Sequence, residues 1–158
     1  MRTLSKKTKY ALRAMYALTR GFGGGPILIA EMARSESIPK TFLEQILLKL
    51  KSSGLVESKK GKGGGYALAR PPAEITLGQV IRLIEGPLAP LPCASETAYR
   101  KCDECPDDRY CETKLVMREV RDAIAAILDR TTLLEACRRV DMAKADGSTD
   151  AGALMYYI

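Results

Sequence analysis

The chain has 158 residues, 46% hydrophobic and 28% charged, with 25 Lys or Arg against 19 Asp or Glu for a net charge of +6. That is apolar material for one core, or a core with an appendage. No run approaches the roughly 18 consecutive apolar residues of a membrane span, and the basic start, Met1 to Lys9, leads into no signal-type apolar stretch, so a cytoplasmic protein with no membrane partner is expected. Histidine is absent, and neither a nucleophile elbow nor a Gly-Lys-Ser/Thr phosphate loop is present, which argues against an enzyme.

The charge is uneven. Residues 1–70 carry 14 Lys or Arg against 4 Asp or Glu, whereas residues 71–158 carry 11 against 15. The basic half is a candidate surface for a polyanion such as nucleic acid; a merely solvated charged face is the alternative.

From Ser5 to Arg20, Ala11, Ala14, Met15 and Leu18 recur at helical spacing, with Lys6, Lys7, Lys9 and Arg13 off the stripe. Gly21 and Gly23 to Gly25 end this helix, because a glycine run is too costly in backbone entropy to stay helical. An extended piece at 26–29 leads into a short helix through Met32 and Ala33. After a turn, Pro39 suits the first turn of another helix, with Leu43, Ile46, Leu47 and Leu50 inward and Lys40, Thr41, Glu44, Gln45 and Lys49 outward. Residues 55–59 and 66–69 then form a hairpin whose tip, 61–65, is glycine-rich and flanked by Lys59, Lys60 and Lys62. Thr76 and Gln79 make a capping box for a helix with the stripe Leu77, Val80, Ile81 and Ile84, closed by Gly86 and Pro87.

Residues 88–111 read as an irregular loop, followed by a long helix with Val116, Val120, Ala123, Ile124 and Ile127 on one face. That face suits either a dimer seam or packing within the same chain. Thr132 and Glu135 signal another capped helix, and from Asp141 the sequence becomes a small, polar linker ending on Met155, Tyr156, Tyr157 and Ile158. The expected fold is mainly α with a small β-hairpin wing: a winged helix-turn-helix over 1–72, a cysteine loop with dimerisation helices over 73–140, and a flexible tail over 141–158.

Helix-turn-helix plus basic hairpin places one helix in the major groove and the wing on backbone or minor groove. On that reading Lys59, Lys60 and Lys62 neutralise phosphates, and Gly63, Gly64 and Gly65 let the backbone come close. Thr41, Glu44 and Gln45 are the candidates to read bases, flanked by Lys40 and Lys49. Double-stranded DNA is the expected partner.

Four cysteines, Cys93, Cys102, Cys105 and Cys111, follow the spacing C-x8-C-x2-C-x5-C within the loop. In a reducing compartment such a cluster more often serves metal or redox chemistry than disulfides, and four thiolates suffice for an iron-sulfur cluster or zinc; four unmetallated thiols are the alternative. Cys137, apart on a helix, reads as an ordinary buried residue. The terminal Met155 to Ile158 could dock back on the protein or be captured in a partner's cleft.

Leu4 to Ala17, Phe42-Leu43-Glu44-Gln45, Gly54-Leu55-Val56, Lys60 to Leu68, Ile75 to Val80 and Glu85-Gly86-Pro87 resemble the IscR, NsrR and CymR family of bacterial winged-helix transcription regulators, over about residues 1–140. The resemblance implies a homodimer on a palindrome-like operator, with the helix around Glu44 reading bases and the wing in the minor groove. It also implies an iron-sulfur cluster on three loop cysteines plus a fourth, non-cysteine ligand, sometimes from the partner's first helix. This chain departs from that pattern with four loop cysteines and with Thr8, which offers no carboxylate or imidazole, so Cys93 is either a fourth ligand or a bystander. The Met-Tyr-Tyr-Ile ending is similar to the tails of the family's cysteine-metabolism repressors, which implies insertion of the terminal isoleucine into cysteine synthase.

Overall fold

In the computed structural model, which describes residues 4–107 and 109–147, the chain opens with helix α1 (Lys6–Arg20), capped by the Ser5 hydroxyl, which accepts from the Thr8 backbone N–H at 3.2 Å. Ala11, Ala14, Met15 and Leu18 face inward as the period demands, and Thr8 joins them, fully buried. A hydroxyl can be buried there because it donates to the Glu85 carboxylate at 2.7 Å, which also accepts the Ser5 backbone N–H at 2.6 Å. The first turn of α1 is thereby tied to the end of a helix some eighty residues later.

Helix α2 (Ile29–Ser35) and helix α3 (Lys40–Ser52) form the helix-turn-helix. Ser37, at φ 51°, turns the chain between them, and Pro39 stands at the cap of α3 with extended ψ rather than inside its first turn. Leu43, Ile46, Leu47 and Leu50 are completely buried. Strands β1 (Val56–Lys59) and β2 (Gly65–Leu68) pair antiparallel, Val56 opposite Leu68 and Lys59 opposite Gly65. The extended piece before α2 adds to this wing: Ile27 and Tyr66 exchange both backbone hydrogen bonds, at 2.8 and 2.9 Å. Gly65 lies at φ 147°, and a side chain there would run into the Ile27 carbonyl, so glycine is what lets the third segment close.

Helix α4 (Leu77–Glu85) has both arms of its capping box, Thr76 and Gln79 bonding reciprocally at 3.2 Å. The loop after Gly86 is irregular apart from a short 3-10 turn at Pro92–Ala94, and it delivers the chain to helix α5 (Glu112–Arg130). Helix α6 (Leu133–Ala145) begins at Thr132, whose hydroxyl accepts the Glu135 N–H at 3.1 Å. It continues beyond the expected linker start at Asp141, because Asp141-Met142-Ala143-Lys144-Ala145 is rich in good helix formers.

α5 does not leave the reader behind. Leu77 N–H donates to the Thr131 carbonyl at 2.9 Å and Leu133 N–H to the Ile75 carbonyl at 2.8 Å, on either side of a Thr76–Thr132 bridge. Ile75 and Leu133 are fully buried, in one core with Met15, Met32, Leu43, Leu47 and Val80. Arg82 also reaches Asp129 through a two-pronged ion pair of 2.5 and 2.8 Å, joining α4 to the last turns of α5.

Candidate functional site

The core stripe of α3 leaves Lys40, Thr41, Glu44, Gln45, Leu48 and Lys49 exposed together on the other side of the helix. Lys40 and Glu44 pair at 3.9 Å, both more than half exposed or nearly so, an interaction weak enough for either to exchange its partner. At the far end of α3, the Lys51 ammonium donates to the Ser58 hydroxyl at 2.5 Å, so helix and wing share a side-chain link as well as a core. At the near end Phe42 packs edge-on to Tyr10 of α1, with ring centroids 6.3 Å apart.

On the wing, Lys59, Lys60 and Lys62 are exposed, as is Gly63 at the tip. Gly64 is different. It is buried, and a side chain on it would collide with the Lys59 carbonyl and approach that of Gly61 to 2.8 Å, so it lets the tip fold over itself rather than offering its backbone outward. The exposed lysines and Gly63 are what this hairpin presents outward.

The four loop cysteines occupy different settings. Cys93 is buried in the 3-10 turn, Cys102 is exposed, and Cys105 and Cys111 are partly covered; no disulfide joins them. Cys105 N–H donates to the Cys102 carbonyl at 3.3 Å, the tight turn expected of a two-residue gap, and the Cys105 thiol lies 3.6 Å from the Asp107 carbonyl. Cys111 is the residue that caps α5. Among the described residues no three Cys, Asp or Glu side chains stand where they could hold one metal ion together. The thiols suit an iron-sulfur cluster or zinc in donor type, but the loop does not present a finished cage.

What the loop does have is a fixed base, which no local pattern of residues announces. Arg121 of α5, with its side chain only 13% exposed, donates to the Ala94 carbonyl at 2.6 Å and pairs with Glu96 at 3.2 Å and Asp122 at 2.7 Å. This holds the turn bearing Cys93 against α5. Lys114, almost completely buried, places its ammonium 5.1 Å from the centre of the Tyr99 ring, a cation–π contact between the first turn of α5 and the loop. Facing away, Leu115, Val116 and Ile127 are each more than half exposed, and Ala123 is exposed beside them. Of the two readings of the α5 stripe, packing within the chain leaves most of it uncovered.

Cys137 lies on α6 against α1, buried, and its thiol is pushed above its ordinary value by that burial and by Asp141, with Arg20 opposing. Met155, Tyr156, Tyr157 and Ile158 lie outside the described residues. No helix among the described residues is long and apolar enough to cross a membrane.

Proteins similar to this chain in sequence and in shape include transcriptional regulators. The profile of the Rrf2 family, described as an iron-dependent transcriptional regulator, matches residues 4–139. An Rrf2-like HTH-type transcriptional regulator of Rhodobacter capsulatus is 39% identical over 133 residues, covering 82% of this chain and 89% of its own. The HTH-type transcriptional regulator CymR of Bacillus subtilis is 33% identical over 156 residues, 98% of this chain and 99% of its own. The solved structure of that CymR, titled the global cysteine regulator, superposes with a TM-score of 0.71 at 34% identity, over 88% of this chain and 98% of its own. The structure of T. potens IscR gives 0.72 at 30% identity, over 98% and 97%. A family profile spanning most of the chain, relatives matched along nearly their whole length and a shared winged-helix fold agree: this protein is a transcriptional regulator rather than an enzyme, and it belongs to the Rrf2 family.

Proposed function

We propose that the protein is a homodimer that reads a two-fold symmetric operator in double-stranded DNA, and that its cysteine loop sets how firmly it binds. The observation that carries the reading is the shared exposure of the polar face of α3 and the lysines of the wing, on elements joined through one core and the Lys51–Ser58 bond. Lys59, Lys60 and Lys62 meet phosphates, while Thr41, Glu44 and Gln45, flanked by Lys40 and Lys49, lie over base edges in the major groove. The uncovered stripe of α5 is the seam between protomers, and its direction fixes the distance between the two reading helices.

Cys102, Cys105 and Cys111, with Cys93 as the candidate fourth thiol, are the residues that would hold an iron-sulfur cluster; zinc, or no metal, is the competing assignment. When bound, such a cluster supplies a centre whose charge and integrity respond to iron supply, oxidant or nitric oxide. The protein's own part is mechanical. Arg121 and Lys114 fasten the loop to α5, so a loop that is ordered or released bears directly on the helix that spaces the two readers.

The test is operator binding by the same preparation with its loop loaded and stripped of metal, across a salt series. A steep fall of affinity with salt and a different Kd for the two forms support the reading. A salt-sensitive complex whose Kd is identical in both forms leaves DNA binding standing and removes the loop from its control.

The similarity to CymR along nearly the whole chain favours a second reading, control by sulfur supply. In that reading Met155, Tyr156, Tyr157 and Ile158 engage cysteine synthase and the cysteines are structural. Deleting Met155 to Ile158 should then abolish a complex with purified cysteine synthase while leaving operator binding by the protein alone intact.

A further inference from the structure

Leu48 is the most exposed apolar side chain of the helix-turn-helix, at 61%, and it stands where the core period does not call for it. The inward stripe of α3 is already complete with Leu43, Ile46, Leu47 and Leu50, all at zero exposure. Leu48 instead follows Glu44 by four residues, Gln45 by three and Thr41 by seven, the spacings that align side chains along one helix face. A single exposed leucine is ordinary on a protein surface. This one sits in the middle of the polar face that the proposed function lays in the major groove, with Lys49 beside it and the wing lysines on the same half of the chain.

We infer that Leu48 is a specificity-determining residue that packs on the C5 methyl group of a thymine in the operator. The major groove displays one apolar feature among its donors and acceptors, the thymine methyl, and an aliphatic side chain among polar reading residues is its natural complement. Four residues of helix correspond to about 6 Å along the axis. With base pairs about 3.4 Å apart, the methyl falls about two steps from the pair read by Glu44. Phe42, also half exposed, is not a rival for this role, because its ring is turned onto Tyr10 of α1. Charge decides the occupant: an apolar side chain on an exposed helix face that also carries Lys40 and Lys49, in the half of the chain with 14 Lys or Arg against 4 Asp or Glu, fits a polyanion that carries methyl groups better than an apolar protein surface.

The inference rests on the DNA-reading function proposed above, and the experiment separates the two. The full-length protein selects its site from a random DNA duplex pool. Each thymine of that site is then replaced singly by deoxyuridine, which removes only the methyl group. Kd is measured for the unchanged protein, Leu48→Ala and Leu48→Met. One thymine per half-site should weaken the unchanged protein about fourfold when demethylated, the effect of one methyl-sized apolar contact. The same replacement should leave Leu48→Ala unaffected and should retain most of its effect in Leu48→Met. A demethylation penalty that persists undiminished in Leu48→Ala, or a site at which no thymine methyl matters, overturns the assignment of Leu48 while sequence-specific binding itself stands. Selection of no consensus at all overturns the reading function together with it. Because Leu48 lies outside the core, its far-ultraviolet circular dichroism and melting curve should match those of the unchanged protein, which excludes misfolding as the cause of any loss.

Discussion

At the scale of single residues, the side chains proposed to face DNA divide into those that would hold it and those that would read it. Replacing Lys60 and Lys62 with Ala should weaken binding by a similar factor on every sequence and lower the slope of log affinity against log salt by about one to two units, since each phosphate contact releases about one counterion. Glu44→Ala should instead change which site is selected from a random pool; unchanged preference would remove Glu44 from the reading set. The thiols have their own order. In metal-free protein Cys102, exposed, should react first with iodoacetamide, whereas Cys93 and Cys137 should be last, the latter because burial also keeps its thiol protonated at neutral pH. Peptide mass spectrometry over a time course reads that order directly.

Residues whose position is set by neighbours in sequence were legible from sequence. The burial of the inward leucines of α3, the exposure of the wing lysines and the Thr76–Gln79 box all follow from period and local turn chemistry. Thr8 and Arg121 were not, because their partners, Glu85 and the turn at Ala94, lie 77 and 27 residues away and no local pattern announces them. Gly63 and Gly64 are indistinguishable as letters; only the fold of the tip makes one exposed and the other buried.

At the scale of elements, α4 joins the winged helix-turn-helix to the cysteine loop and to α5. Thr76→Ala removes one arm of its capping box and should cost about 1 kcal/mol of stability, measured by denaturant melts, without altering which DNA site is preferred. Gly78 of α4 is packed so closely on Asp129 that an added side chain would overlap its carboxylate. The Arg82 hydrogen bond holds the Asp129 carboxyl below its ordinary value, against the opposing effect of burial and with help from the Arg82 charge. A carboxyl whose folded pKa is depressed stabilises the fold above its unfolded pKa and stops doing so as pH falls through the folded value. The link between α4 and α5 should therefore be intact at neutral pH and fade below about pH 4. Since both side chains are substantially exposed, the effect should stay below about 1 kcal/mol. A comparison of Tm for the unchanged protein and Asp129→Asn from pH 7 down to pH 2 should show a small gap that closes at the acid end.

For the whole molecule, composition separates a basic N-terminal half from an acidic, cysteine-bearing one, while the core joins the two through Ile75 and Leu133. The length of α6 was misjudged at its C-terminal end, where Asp141 to Ala145 looked like linker by polarity but keeps helix-forming residues through to the turn at Gly147. Iron, acid-labile sulfide and zinc per chain, measured on protein purified without oxygen, decide what the four thiols hold. Iron with sulfide and a visible charge-transfer band is the expected result. Cys102→Ser should then lose most of that iron, whereas Cys93→Ser discriminates a fourth ligand from a bystander by whether the band survives.

The two backbone hydrogen bonds that bracket Thr76 and Thr132 bring the chain back, after the loop and all of α5, to the place on the reader where α4 begins. Everything between Gly86 and Arg130 is thus an excursion with both feet planted on one body, like a cassette plugged into a fixed socket. The loop ahead of α5 should therefore tolerate a change of length or of ligands while Ile75, Leu133 and α3 keep their places, because none of its residues belongs to that core. Residues 1–72 cut out alone, by contrast, would lose both Ile75 and Leu133 from the core. A chimaera that swaps only the loop between Gly86 and Cys111, leaving α5 and its seam in place, should keep its operator and acquire a new stimulus.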